Sequence, residues 1–194
     1  MSIITTETIK TLRDRTGISI MQCKKALEET DGNIEQALVV LRKKGGEIAS
    51  KKKDRTLGSG IVQAYIHATG ALGAVVILAC ETDFVAKNEE FSKLAYDIAM
   101  HVTAINPEFL KADDVPESAK EIARSVFVKE IEGKPAELQE KIMEGKLNTY
   151  FKEKILLDQQ FIKNPDITIQ GLIDSAIQKF GEKIEISRFE RFVV

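Results

Sequence analysis

The chain has 194 residues, 43% of them hydrophobic, which is enough for one domain with a real core or for a small domain joined to a larger one. Its 28 basic and 30 acidic residues give a formal charge of -2, which argues against the strong positive field of a dedicated nucleic-acid binder and points to protein partners. Two cysteines, Cys23 and Cys80, exclude a disulfide scaffold, and with only His67 and His101 beside them a structural metal site would need all four scattered residues to converge.

No apolar run approaches the roughly 18 residues of a membrane span. The amino terminus lacks a basic region followed by a hydrophobic signal segment. A soluble, cytoplasmic protein with no metal, no cofactor and no membrane association is expected.

Residues 5–45 read as three short helices. Thr5 or Thr6 caps the first, Ile9 and Leu12 give it an apolar stripe, and Gly17 fits its end. Ser19 with Gln22 has the form of a capping box for the second, which buries Ala26, Leu27 and either Ile20 or Met21 before Asp31-Gly32. Asn33 with Gln36 repeats the device, and Ile34, Ala37, Leu38 and Leu41 form the inner face of the third helix before Gly45-Gly46. At about 45 residues this module sits near the lower limit for independent folding. Residues 46–60, glycine-rich at both ends around Lys51-Lys52-Lys53, read as a linker with a short helical piece.

A larger domain, 61–194, opens with strand-like Ile61 to His67. A turn in which Gly70 and Gly73 supply the needed φ values leads to the apolar run Ala74 to Cys80. A polar elbow, Glu81 to Asn88, joins that run to an amphipathic helix marked by Phe91, Leu94, Ala95, Ile98, Ala99 and Val102, which Asn106-Pro107 stops. Strand and helix together hold Asp83 and Phe84 at a surface corner. The plainer reading has Asp83 capping a helical turn and Phe84 folded into the core.

From Pro116 to about residue 152 two helices form an antiparallel hairpin. Ala119, Ile122, Val126 and Phe127 line the first and Leu138, Ile142, Met143, Leu147 and Tyr150 the second, with Gly133-Lys134-Pro135 as the break. Thr168 opens the last helix, whose Ile169, Leu172, Ile173, Ala176, Ile177 and Phe180 recur at helical spacing until Gly181. The ending, Lys183 to Val194, is strand-like with a phase shift after Ile186 that fits a bulge or a strand covered on both sides. An α+β fold follows: a three-helix module, then a three-stranded antiparallel sheet packed with helices and a projecting helical hairpin.

Three separated stretches carry a resemblance. Thr82-Asp83-Phe84-Val85-Ala86-Lys87-Asn88, Arg15 to Leu27, and Arg188-Phe189-Glu190-Arg191-Phe192 are similar to motifs of the elongation factor Ts family, exchange factors for the GTPase elongation factor Tu. The resemblance implies a translation factor that binds elongation factor Tu·GDP, displaces magnesium and promotes GDP release so that GTP can bind. It implies that Phe84 wedges between helices of the GTPase near its magnesium site, that Asp83 makes polar contacts there, and that Thr82 and Val85 hold the elbow's shape. It makes the amino-terminal module similar to the ubiquitin-associated fold, docking through Leu12, Ile20, Met21 and Lys24. Ile20-Met21 stands where most members resemble Met-Met, a departure that conserves volume. The chain resembles short members with one core copy, which implies a homodimer through the core sheet, with Ile184 to Val194 as a pairing edge.

No phosphate-binding loop, dinucleotide fingerprint or nucleophile elbow is present, and adjacent carboxylates such as Glu89-Glu90 point different ways along a helix, so the chain is not expected to be an enzyme. The rival from another class is a passive protein-binding module without exchange activity. A weaker rival uses the lysine-rich linker to bind RNA, although no aromatic residue interleaves with those lysines.

Overall fold

The computed structural model describes residues 4–131 and 135–194. Three helices come first: α1 (Thr6–Thr16), α2 (Ile20–Glu29) and α3 (Ile34–Lys51). Each starts where a side-chain oxygen accepts a backbone N–H that the helix cannot satisfy: Thr5 from Thr8, Ser19 from Gln22, Asn33 from Gln36. Gln22 does not complete a box with Ser19, because its side chain reaches across the molecule to Gln178.

Leu12, Ile18, Cys23, Ala26, Leu27 and Leu41 fill the centre of this module. The positions offered to Ile20 or Met21 are therefore taken by Ile18 and Cys23, and both Ile20 and Met21 face outward. Helix α3 does not stop at Gly45-Gly46; it runs on to Lys51, into the stretch read as a linker. The reason is a helix crossing. A Cβ on Gly45 would lie 3.3 Å from the Asp174 carbonyl oxygen and 3.2 Å from the Gln178 side chain of a later helix, so the glycine permits close approach rather than ending the helix.

The core sheet is antiparallel in the order β1 (Ser59–Ile66), β2 (Leu72–Cys80), β5 (Ile184–Val193). Gly70, at φ +70, makes the β1–β2 turn. Gly73 lies beyond that turn, inside β2, where a Cβ would meet the Tyr65 carbonyl oxygen at 2.7 Å. The bulge is present, since Ile77 pairs with Arg188 but Leu78 pairs with Ile186, leaving Ser187 as the extra residue.

Helices α5 (Glu89–Ile105) and α8 (Ile169–Phe180) cover one face of the sheet and bury Val76, Leu78, Phe91, Ile98, Val102, Ile173 and Ile184. Asn106, at φ +57, ends α5, and Gly181, at φ +73, ends α8.

The helical hairpin, α6 (Glu117–Ile131) and α7 (Ala136–Lys152), closes on part of the expected stripe, Ala119, Phe127, Met143 and Leu147, but not on all of it. Ala123 of α6 is buried with Leu147 and Phe151 of α7, with Ala119, Phe127 and Met143 beside them, and Ile131 is buried at the end of α6. Ile122, Val126 and Leu138 face water, and Tyr150 is partly exposed. Bulk drew the expectation to Ile122 and Val126 in place of Ala123. Close approach instead selects the row with small Ala119 and Ala123 every fourth residue. The turn expected at Gly133-Lys134-Pro135 falls partly on residues 133 and 134, outside the described residues.

Between hairpin and last helix lies a feature the sequence did not announce, a short antiparallel pair β3 (Gln160–Phe161) and β4 (Asn164–Thr168). His101, fully buried in α5, holds it. Its Nδ1 accepts from the Ile162 backbone N–H at 3.3 Å, so Nε2 carries the proton and donates to Gln159 Oε1 at 2.9 Å. That arrangement needs a neutral ring, and burial pulls the His101 pKa below its ordinary 6.5, opposed by the Gln159 hydrogen bond.

A depressed histidine leaves the unfolded chain holding more protons at low pH. This contribution to stability is complete above about pH 6.5 and falls as pH drops through the region below it, by at most about 1.4 kcal/mol per pH unit. Thermal melts between pH 7.5 and 5 should show that slope, and His101→Asn should flatten it. An equal slope in both proteins would remove His101 as its source.

Candidate partner-binding site

The elbow between β2 and α5 is a single helical turn, α4 (Asp83–Ala86). Thr82, not Asp83, is its cap, accepting from the Val85 N–H at 3.5 Å. In so short a turn consecutive side chains must diverge. Val85 points inward and is buried in the core, while Phe84 points away and is 81% exposed. The alternative in which Phe84 folds into the core is excluded, because Val85 occupies that direction. A phenylalanine this exposed contributes little to folding and leaves a large apolar surface in water.

Asp83 is also exposed, and Lys87 one turn on hydrogen bonds its carboxylate at 2.6 Å, which holds its pKa below the usual carboxylate value. Both members of this pair are open to solvent, so it adds little to stability. Asn88 caps α5 by accepting from Glu90 at 2.9 Å, which starts the rigid helix directly after the elbow.

The elbow is tied down from the far end of the chain. The Glu182 carboxylate accepts both the Thr82 backbone N–H, at 3.0 Å, and the Thr82 hydroxyl, at 2.6 Å. In the reverse direction the Glu81 carboxylate accepts the Lys183 backbone N–H at 2.5 Å and the Arg55 guanidinium at 3.2 Å. These donors hold Glu81 below its ordinary pKa, the Lys183 N–H first among them. The two acids cross between the strand ends like the pins of a hinge. Sequence reasoning missed the clasps of Glu81, Glu182 and Arg55, since partners 26 to 102 positions apart leave no local pattern.

In the amino-terminal module Met21 is 76% and Ile20 54% exposed at the tip of α2, with exposed Lys24 on the same helix paired to Glu28 at 3.7 Å. Leu12 is different. It is fully enclosed by the module's own core, so its expected place at the docking tip gives way to packing. The structure thus gathers Thr82, Asp83, Phe84 and Val85 in one turn and sets Ile20, Met21 and Lys24 on another helix.

A concavity of about 1000 Å³ belongs to neither. It lies along the helical hairpin, lined by Val115, Arg124, Met143, Leu147 and Phe151 among others. Among the described residues no group of three or more His, Cys, Asp or Glu side chains is placed to hold a metal ion, and no helix is long and apolar enough to cross a membrane.

A small helical module, an exposed aromatic on a capped elbow and a terminal strand in the core sheet reproduce the order of the three motifs, and the family model described as elongation factor TS matches residues 4–194. The chain belongs to the elongation factor Ts family. The Elongation factor Ts of Carboxydothermus hydrogenoformans is 48% identical over 192 residues, covering 98% of this chain and 88% of its own. That of Thermosipho melanesiensis is 45% identical over 194 residues, covering 99% of both chains, and that of Herpetosiphon aurantiacus is 42% identical with 98% of both covered. Membership of the elongation factor Ts family makes this a translation elongation factor of protein biosynthesis.

Proposed function

We propose that the chain is a guanine-nucleotide exchange factor for elongation factor Tu, acting as a binding protein rather than an enzyme. It binds the GDP form, displaces magnesium and lets GDP leave so that GTP enters. The single observation that carries the reading is Phe84, an aromatic ring 81% exposed on a turn whose entry, Glu81-Thr82, is pinned to Glu182 and Lys183. Such a ring is pre-organised to enter a pocket between helices of a partner, losing little conformational freedom on binding. Asp83 beside it supplies the polar contact, while Thr82 and Val85 set the turn. Ile20, Met21 and Lys24 form a second anchor on residues 1–45, which act as the docking module; 46–60 connect it to the 61–194 core. The factor works in the cytoplasm, with elongation factor Tu as its partner.

Exchange by this route is a coupling between two binding sites, so it must be reciprocal: if the factor weakens GDP, GDP weakens the factor equally. Gel filtration tests this. A stable complex with nucleotide-free elongation factor Tu should dissociate on addition of excess GDP with magnesium. A complex indifferent to nucleotide would support passive binding instead.

The sheet face opposite α5 and α8 carries Val62, Ile66 and Phe192, each more than half exposed, with Val75 and Ile77 between them. A second copy of the chain fits this apolar surface, which ends at the edge strand β5. Light scattering at micromolar concentration should give twice 21.6 kDa. Ile66→Lys should return the single mass; a monomeric parent would remove the dimer.

A further inference from the structure

We infer that Gln178 to Lys183, the end of α8 and the turn into β5, is a jig that locks the α2 tip and the Phe84 elbow into one fixed geometry. The consequence for function rests on the exchange reading above; the geometry itself belongs to the protein alone.

Six consecutive residues each grip a different piece. Gln178, buried, donates from Nε2 to Gln22 Oε1 at 2.6 Å, one residue from Met21 on α2. Lys179 lies so close to Gly17, in the turn before α2, that a Cβ there would come within 2.8 Å of its Nζ. The same ammonium bonds Glu90 at 2.6 Å, at the start of α5 just after the elbow. Phe180 sets its ring edge-on to Phe91, centroids 5.9 Å apart. The Gly181 carbonyl accepts from Lys52 Nζ at 2.7 Å, at the end of α3. Glu182 holds Thr82 by two bonds, and the Lys183 N–H reaches Glu81.

The grips divide by target. Gln178 and Gly181 hold the amino-terminal helices, Phe180, Glu182 and Lys183 hold the elbow and α5, and Lys179 touches both. A rigid α8 thus becomes the common reference for two exposed apolar tips that come from separate parts of the sequence. Two contact points held at fixed spacing bind as a unit, whereas points on independently moving pieces lose the effective concentration that rigid linkage supplies. Lys179 and Glu182 are positioning residues in this sense. Their predicted effect goes through the spacing of Met21 and Phe84.

The test uses the whole chain. Spin labels on cysteines at Lys25→Cys and Glu89→Cys sit on the α2 side and beside the elbow; the native Cys23 and Cys80 are buried with raised pKa values and resist labelling. Pulsed electron resonance should give one narrow distance in the parent. Lys179→Ala should at least double its width and Lys179→Arg should restore it. Glu182→Gln, close in shape, provides a second broken grip should Lys179→Ala lower fold stability, and it should also widen the distribution. In exchange assays both broken variants should need roughly tenfold more protein for half-maximal GDP release. Unchanged widths in both variants would overturn the jig whatever the exchange data show. If the parent fails to accelerate GDP release while the widths respond as expected, the jig stands and the exchange reading falls.

Discussion

Replacing Phe84 with alanine is expected to lower catalysed GDP release from elongation factor Tu by about 100-fold or more while moving the melting temperature by no more than about 2 °C. The two halves of this result come from one fact, the outward direction of the ring. The ring takes little part in packing the fold, and substitutions at exposed positions of this kind change stability by roughly half a kcal/mol. An aromatic anchor that becomes buried in a partner commonly carries about 2–4 kcal/mol of binding, each 1.4 kcal/mol being tenfold. Stopped-flow release beside a thermal melt of the same preparation measures both. A variant that melts normally and exchanges normally would transfer the wedge role elsewhere, with the tip residues Ile20 and Met21 the next to replace.

Phe91, seven residues on, should behave in the opposite way. It is fully buried at the first turn of α5, packed against the edge of Phe180 and among Val85, Leu78 and Ile173 in the main cluster. Phe91→Ala removes that area and leaves a cavity where the elbow helix meets α8, at a cost of about 3–5 kcal/mol. For a chain of this size that is a fall in melting temperature of roughly 6–20 °C. Denaturant titration should show a lower midpoint with little change in slope. Well below the lowered melting point the plateau rate of exchange should survive in large part, because the ring touches no surface, while the lost Phe180 contact should raise the concentration needed to reach it. A loss below about 1 kcal/mol would mean that the site collapses around the deletion more completely than its packing suggests.

The contrast between these phenylalanines shows which features were legible in the sequence. Phe91 belongs to a helical stripe running through Ala95, Ile98 and Val102, and that periodicity alone assigns it to a core. Phe84 has no such neighbours; its outward direction depends on Thr82 acting as cap and Val85 taking the inward position, a matter of one turn's phase. The caps at Thr5, Ser19, Asn33 and Thr168, the glycine turns at 17 and 70, the first hairpin and the irregularity after Ile186 are local and were readable. Close approach between distant elements was not. Gly45 looked like a helix stop until α8 crossed it, and Ala123 looked less important than Ile122 until α7 packed against it. The same limit applies to the site. Its exposed residues follow from motifs, but the Glu81 and Glu182 clasps join positions about a hundred residues apart, and only the folded chain brings them together.

The most direct test of the central claim is stopped-flow release of a fluorescent GDP analogue from elongation factor Tu at increasing concentrations of this protein. The release rate should climb with concentration to a plateau far above the spontaneous rate, and the plateau should fall when magnesium is raised. A complex that forms while release stays at its spontaneous rate would contradict exchange by this protein.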